Sequence, residues 1–169
     1  VAYQTAYLKY YYPREFMAAL MTSIMDNVTK VSEYILACRN MGIGILPPDI
    51  NEGVSGFSVS GNSIRYGLSA IKSVGRAVVD VIISERETGG PFSTLEDFVS
   101  RMSNREVNKR TLESFIKSGS LDSLPGTRKQ KLYVSSELLE NKAREKKTVM
   151  EGQMSFFDIA PEEDKGNFQ

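Results

Sequence analysis

The chain has 169 residues, 41% hydrophobic and 25% charged, which is enough to bury one domain-sized core with a smaller lobe attached. No apolar run approaches the roughly 18 residues that span a bilayer, and the N-terminus carries neither a basic n-region nor a small-residue cleavage site, so a cytoplasmic location is expected. With no histidine and a single cysteine, the sequence lacks the commonest general base, Ser/His and Cys/His catalysis, and imidazole metal sites.

In chain order, Tyr3, Tyr7, Leu8, Tyr10 and Tyr11 recur at helical spacing and predict a first helix whose aromatic stripe packs into the core. Pro13 suits the first turn of a second helix over 14–24, with Phe16, Met17, Leu20, Met21 and Ile24 on its apolar face. Asp26 or Asn27 then caps a third helix through Val28, Val31, Tyr34, Ile35 and Cys38, with Gly42 placed to end it and Cys38 read as core. Pro47 and Pro48 extend the chain, and residues 57–59 and 63–66 around a Gly61–Asn62 turn predict one two-stranded β-hairpin. Short helices follow at 68–71, 76–86, 94–100 and 107–118, with Ser93 or Thr94 as an N-cap and Gly119 as a C-cap. Residues 127–149 read as one long polar helix, and 151–169 as a mobile acidic tail. The fold class is therefore mainly α, short helices with one small β-hairpin.

A net charge of zero conceals segregation: Lys and Arg minus Asp and Glu is −2 over residues 1–100, +6 over 101–150 and −4 over 151–169. The middle stretch is a candidate polyanion surface, against the plainer reading of a solvated helix face.

Three motifs carry chemistry. Ile71–Lys72–Ser73–Val74–Gly75–Arg76, between two short apolar segments, fits the hydrophobic-x-Gly-hydrophobic-Gly turn of helix-hairpin-helix modules, except that Ser73 stands where glycine is usual. Such a turn aims the first N–H groups of the second helix outward, where they and the helix dipole hold a DNA phosphate. Gly75 permits close approach, Val74 plugs the core, and Lys72 and Arg76 add charge; the alternative is an ordinary tight turn. A second helix–turn–helix spans 98–116 and contains no glycine in its turn, so Arg105, Lys109 and Arg110 are its candidate phosphate contacts, against a purely structural role. Gln153–Met154–Ser155–Phe156–Phe157 has the Gln-x-x-hydrophobic-Phe form of sliding-clamp peptides, Gln153 supplying hydrogen bonds while Met154, Phe156 and Phe157 fill apolar cavities.

Taken together and in order, these segments resemble the α subunit of bacterial DNA polymerase III, a C-family polymerase, across essentially the whole chain. The resemblance rests on Tyr12–Pro13–Arg14–Glu15–Phe16–Met17, Leu46–Pro47–Pro48–Asp49–Ile50–Asn51, Ile64–Arg65–Tyr66–Gly67–Leu68, Val107–Asn108–Lys109–Arg110 and Ile116–Lys117–Ser118–Gly119. It implies that 1–45 end a fingers region, 46–66 form an extended linker and hairpin, 67–125 a tandem helix-hairpin-helix DNA-binding domain, 126–150 a polar helix and 151–169 a tail with the clamp-binding motif. It further implies magnesium-assisted, template-directed DNA synthesis by the parent, with double-stranded primer-template, the sliding clamp and other holoenzyme subunits as partners and no membrane partner. The family's palm aspartates fall before residue 1, and the chain has no Asp-x-Asp pair, so no catalytic residue, metal ligand or cofactor is assigned to this segment. Two rivals are a structural connector without DNA contact and, more distantly, a glycosylase using Asp80 beyond the hairpin.

Overall fold

The computed structural model describes residues 2–102, 107–141 and 144. Helices α1 (Ala2–Tyr11), α2 (Pro13–Ser23) and α3 (Val28–Asn40) come first, then strands β1 (Gly44–Leu46), β2 (Ser58–Ser60) and β3 (Ser63–Arg65). A 3-10 turn (Leu68–Ala70) leads into α4 (Arg76–Gly89), α5 (Leu95–Met102), α6 (Lys109–Ser118) and a last helix, α7, over 128–141. The architecture is mainly helical with one small sheet.

Local chemistry sets the helix ends. Pro13 opens α2, where a missing N–H costs nothing. Asn27 caps α3 by accepting the N–H of Lys30 at 3.1 Å, and Thr94 caps α5 by accepting that of Asp97 at 3.1 Å, while the Asp97 carboxylate accepts the N–H of Ser93. Gly119 ends α6 in the left-handed conformation, φ 84°, which a Cβ would penalise.

The sheet has three strands in the order β1-β3-β2, not the two expected. β2 and β3 form the antiparallel hairpin around Gly61 and Asn62, and β1 adds in parallel, Ile45 opposite Ile64. Three residues before a Pro-Pro pair show no alternation of their own, so β1 exists only because the partner edge of β3 is there to pair with. The sheet is tied to α2 by Thr22, whose Oγ1 accepts the N–H of Phe57 at 2.9 Å and donates to the carbonyl of Ala18.

Two clusters of buried side chains organise the molecule. The first joins α2, α3 and the sheet through Met17, Met21, Val31, Cys38, Phe57 and Ile64; burial raises the pKa of the Cys38 thiol. The second joins the 3-10 turn, α4, α5 and α6 through Leu68, Val79, Ile82, Phe98, Leu112, Phe115 and Ile116. Ile50 plugs this second cluster from the loop after β1. Its neighbours hold it there: Asp49 accepts the N–H groups of Asn51 and Glu52, and the Asn51 amide bonds both backbone groups of Phe92, at 2.8 and 2.9 Å. The string 46–51 thus acts as a latch between the two clusters.

The tyrosine stripe of α1 is not core. Helix α1 buries no residue, and Tyr3 and Tyr10 are 82% and 79% exposed. Helical spacing gives these rings one face, but no residue of α1 is buried; Tyr7 and Tyr10 each meet Tyr11, with ring centroids at 4.6 and 4.9 Å.

Candidate nucleic-acid interface

The first hairpin is built from 71–76. The N–H of Val74 returns to the carbonyl of Ile71 at 3.1 Å, and Ser73, the third residue of this turn, has φ 68°. It is the single non-glycine residue with positive φ among those described. That is the seat type II turns reserve for glycine, so the serine adopts the conformation the motif requires in spite of its Cβ. Beneath the turn Ile71 and Val74 are buried in the second cluster, while Lys72, Ser73, Gly75 and Arg76 are exposed. The short helix expected at 68–71 is a 3-10 turn over Leu68–Ala70, because Ile71 is already extended to enter the hairpin.

Gly75 is the N-cap of α4, brings no capping side chain, and would meet no atom within 4 Å if it carried a Cβ. The first intrahelical bond runs from the N–H of Val79 to the carbonyl of Gly75, so the N–H groups of 76–78 have no intrahelical acceptor. These donors stand at the positive end of the helix dipole, next in the chain to the exposed Lys72 and Arg76.

The second unit is α5 and α6. Its N-cap, Asn108, accepts the N–H of Thr111 at 2.9 Å, which closes one of the donors that the first hairpin leaves open. Lys109 and Arg110, the first two residues of α6, are exposed. The two units touch where the Thr111 hydroxyl donates to the carbonyl of Ser73 at 3.4 Å, a long bond that sets the start of α6 against the first hairpin. Lys72, Arg76, Lys109 and Arg110 therefore gather near one junction, and none forms an ion pair with another described residue. Arg105, Gln153, Met154, Phe156 and Phe157 lie outside the described residues.

Other cations of the basic stretch are spent internally, which a charge count does not reveal. Arg101 packs 4.3 Å over the Phe92 ring, donates to the carbonyls of Gly90 and Glu85, and faces Glu85 and Asp97. Lys117 pairs with Glu113 at 2.9 Å and, through that hydrogen bond, holds the Glu113 carboxyl below its ordinary pKa. Arg128 grips Asp122 with Nε at 2.9 and 3.0 Å from its two oxygens and likewise lowers the Asp122 pKa. Lys131 is buried, donating to the carbonyls of Leu121 and Leu124 at 2.6 and 2.7 Å; desolvation lowers its pKa. An i, i+4 apolar pattern would have exposed this inward face of α7, but the polar composition of 127–149 masks it.

Asp80 is exposed on α4. Among the described residues no group of three or more Asp, Glu or Cys stands close enough to hold a metal ion, and no helix is long and apolar enough to cross a membrane.

A family model described as "Helix-hairpin-helix motif" matches residues 42–131. The chain is similar to DNA polymerase III subunit alpha of Borreliella burgdorferi, 44% identical over 164 residues, covering 97% of this chain and 14% of that protein. The same protein of Thermus aquaticus is 44% identical over 157 residues, 93% of this chain and 13% of the relative. That of Chlamydia trachomatis is 39% identical over 159 residues, 94% and 13% respectively. The chain thus spans about one seventh of the length of the relatives it matches.

Proposed function

Because the chain belongs to the helix-hairpin-helix family and aligns nearly end to end with one segment of DNA polymerase III subunit alpha, we propose that it grips the sugar-phosphate backbone of duplex DNA for a replicative polymerase. The observation that carries this is the first hairpin, where Ser73 takes the left-handed seat and the uncapped start of α4 lies between exposed Lys72 and Arg76. Backbone N–H groups and cations aimed at phosphates carry no base information, so the grip is independent of sequence. Lys109 and Arg110 supply the second contact, and the sequence pattern adds Arg105 as a further candidate.

On this reading the chemistry, magnesium included, belongs to other parts of the parent polymerase, and this segment positions primer-template. Gln153, Met154, Phe156 and Phe157 add a tether to the sliding clamp, a proposal carried by the sequence pattern. Two modest affinities on one chain raise each other's effective concentration, which is a route to processivity alongside other holoenzyme subunits. The structural-connector reading draws on Asn108, which satisfies a donor of its own helix, and on the basic side chains spent internally.

The test is fluorescence anisotropy of labelled duplexes of unrelated sequence, with the wild-type chain and a Lys72, Arg76, Lys109, Arg110 to alanine variant. Equal affinity across sequences, lost in the folded variant, is the expected result. A folded wild-type chain that binds no duplex establishes the connector reading instead.

A further inference from the structure

Beside the first hairpin lies a groove of about 580 Å³, within the roughly 300–1,000 Å³ typical of sites that enclose small molecules. Part of its lining is apolar and includes Val28, Tyr66, Ala70 and Ile71. The Tyr66 ring is held by an edge-to-face contact with Phe57 at 4.8 Å, so this wall is fixed before anything enters. The lining also includes Lys72, Ser73 and Lys117, and none of the lining residues is acidic. Lys117 is already paired with Glu113, whereas Lys72 has no ion pair among the described residues. The groove therefore fits a molecule with a flat apolar part and an anionic part, the chemistry of a nucleotide.

Lys72 and Ser73 belong to both the hairpin and the groove. A strand whose phosphates lie at the hairpin is delivered to the groove at high effective concentration, whereas a free acidic peptide of similar chemistry is not. Resting on the DNA-backbone reading, the geometry points to one unpaired nucleotide of the bound strand as the occupant, its base against Tyr66 and Ile71 and its phosphate toward Lys72. The groove then distinguishes a duplex with an unpaired end from a blunt one.

The experiment compares the 169-residue chain's affinity for a blunt duplex and for the same duplex with a two-nucleotide unpaired end. Two variants block the groove. Val28→Glu places a carboxylate at its edge from a residue that is 70% exposed at the start of α3, where an acid suits the helix. Ala70→Leu fills the space itself. Wild type is expected to favour the unpaired end about five-fold or more, the lower range for one base seated against an aromatic side chain, and both variants to bring that ratio close to one. Equal affinity for the two DNAs, or a preference that neither folded variant changes, overturns the assignment. So does saturable binding of an acidic phenylalanine-containing peptide blocked by Val28→Glu without any preference for the unpaired end. Failure of the wild type to bind even the blunt duplex overturns the backbone-grip reading and removes this one with it.

Discussion

Ser73 is where backbone energy and binding geometry meet. A Cβ in the left-handed region costs on the order of 1–2 kcal/mol, and Ser73 carries that cost at φ 68° inside a turn anchored by buried Ile71 and Val74. Ser73→Gly is expected to stabilise the chain by up to about 1 kcal/mol, because relief of strain is partly offset by the extra freedom glycine gives the unfolded state. Ser73→Val is expected to destabilise it by about 1–2 kcal/mol, since branching at Cβ adds to the crowding. Urea midpoints with an unchanged m-value check both. Lys131 makes a second prediction. Its ammonium satisfies two carbonyls in a buried site, so Lys131→Met, which keeps the bulk and removes the donors, is expected to cost about 1–3 kcal/mol at neutral pH. Burial lowers the Lys131 pKa from its ordinary 10.5. Between that lowered value and 10.5 the unfolded chain therefore binds more protons than the native one, and this group's contribution to stability rises with pH. The difference in stability between wild type and Lys131→Met should thus widen as pH climbs toward 10.5, measured by urea denaturation of both proteins side by side.

At the scale of elements, an aromatic chain joins α5 and α6 to the loop that follows α4: Phe98 meets Phe92 at 5.1 Å and Phe115 at 6.0 Å, both edge to face, with Phe98 and Phe115 fully buried. Phe98→Ala leaves a cavity at the centre of this contact and is expected to cost about 3–5 kcal/mol, read from thermal or urea unfolding. The elements legible in sequence are those whose signals are local. Pro13, Asn27, Thr94 and Gly119 act within one turn, so the starts of α2, α3 and α5 and the end of α6 could be read directly. The Gly61–Asn62 turn likewise announces β2 and β3. What could not be read depends on partners distant in the chain. β1 is three residues that become a strand only against β3, Lys131 turns inward only because two carbonyls of the preceding loop await it, and the α1 stripe has helical spacing but no described neighbour to bury it. The hairpin was legible as a pattern, whereas the left-handed seat taken by Ser73 was not, since a serine at that position argues locally against the turn it makes.

For the whole molecule, the charge that matters is the part left over after folding. The +6 of residues 101–150 suggests one basic face, yet Arg101, Lys117, Arg128 and Lys131 are bound to carboxylates or carbonyls of the chain itself. Around the hairpin junction Lys72, Arg76, Lys109 and Arg110 have no such partner among the described residues. Binding to duplex DNA releases about 0.9 counterion per phosphate neutralised. If these four cations each cover one phosphate, replacing all four with alanine is expected to flatten the slope of log affinity against log salt by about 3 to 4, measured by anisotropy titrations over a series of salt concentrations with binding extrapolated to low salt. Replacing Lys117 and Arg128 removes the same kind of charge but from pairs closed within the chain, and should leave the slope nearly unchanged. A slope that responds equally to both sets would mean that the basic face acts as a diffuse field and that the hairpin junction holds no phosphates of its own.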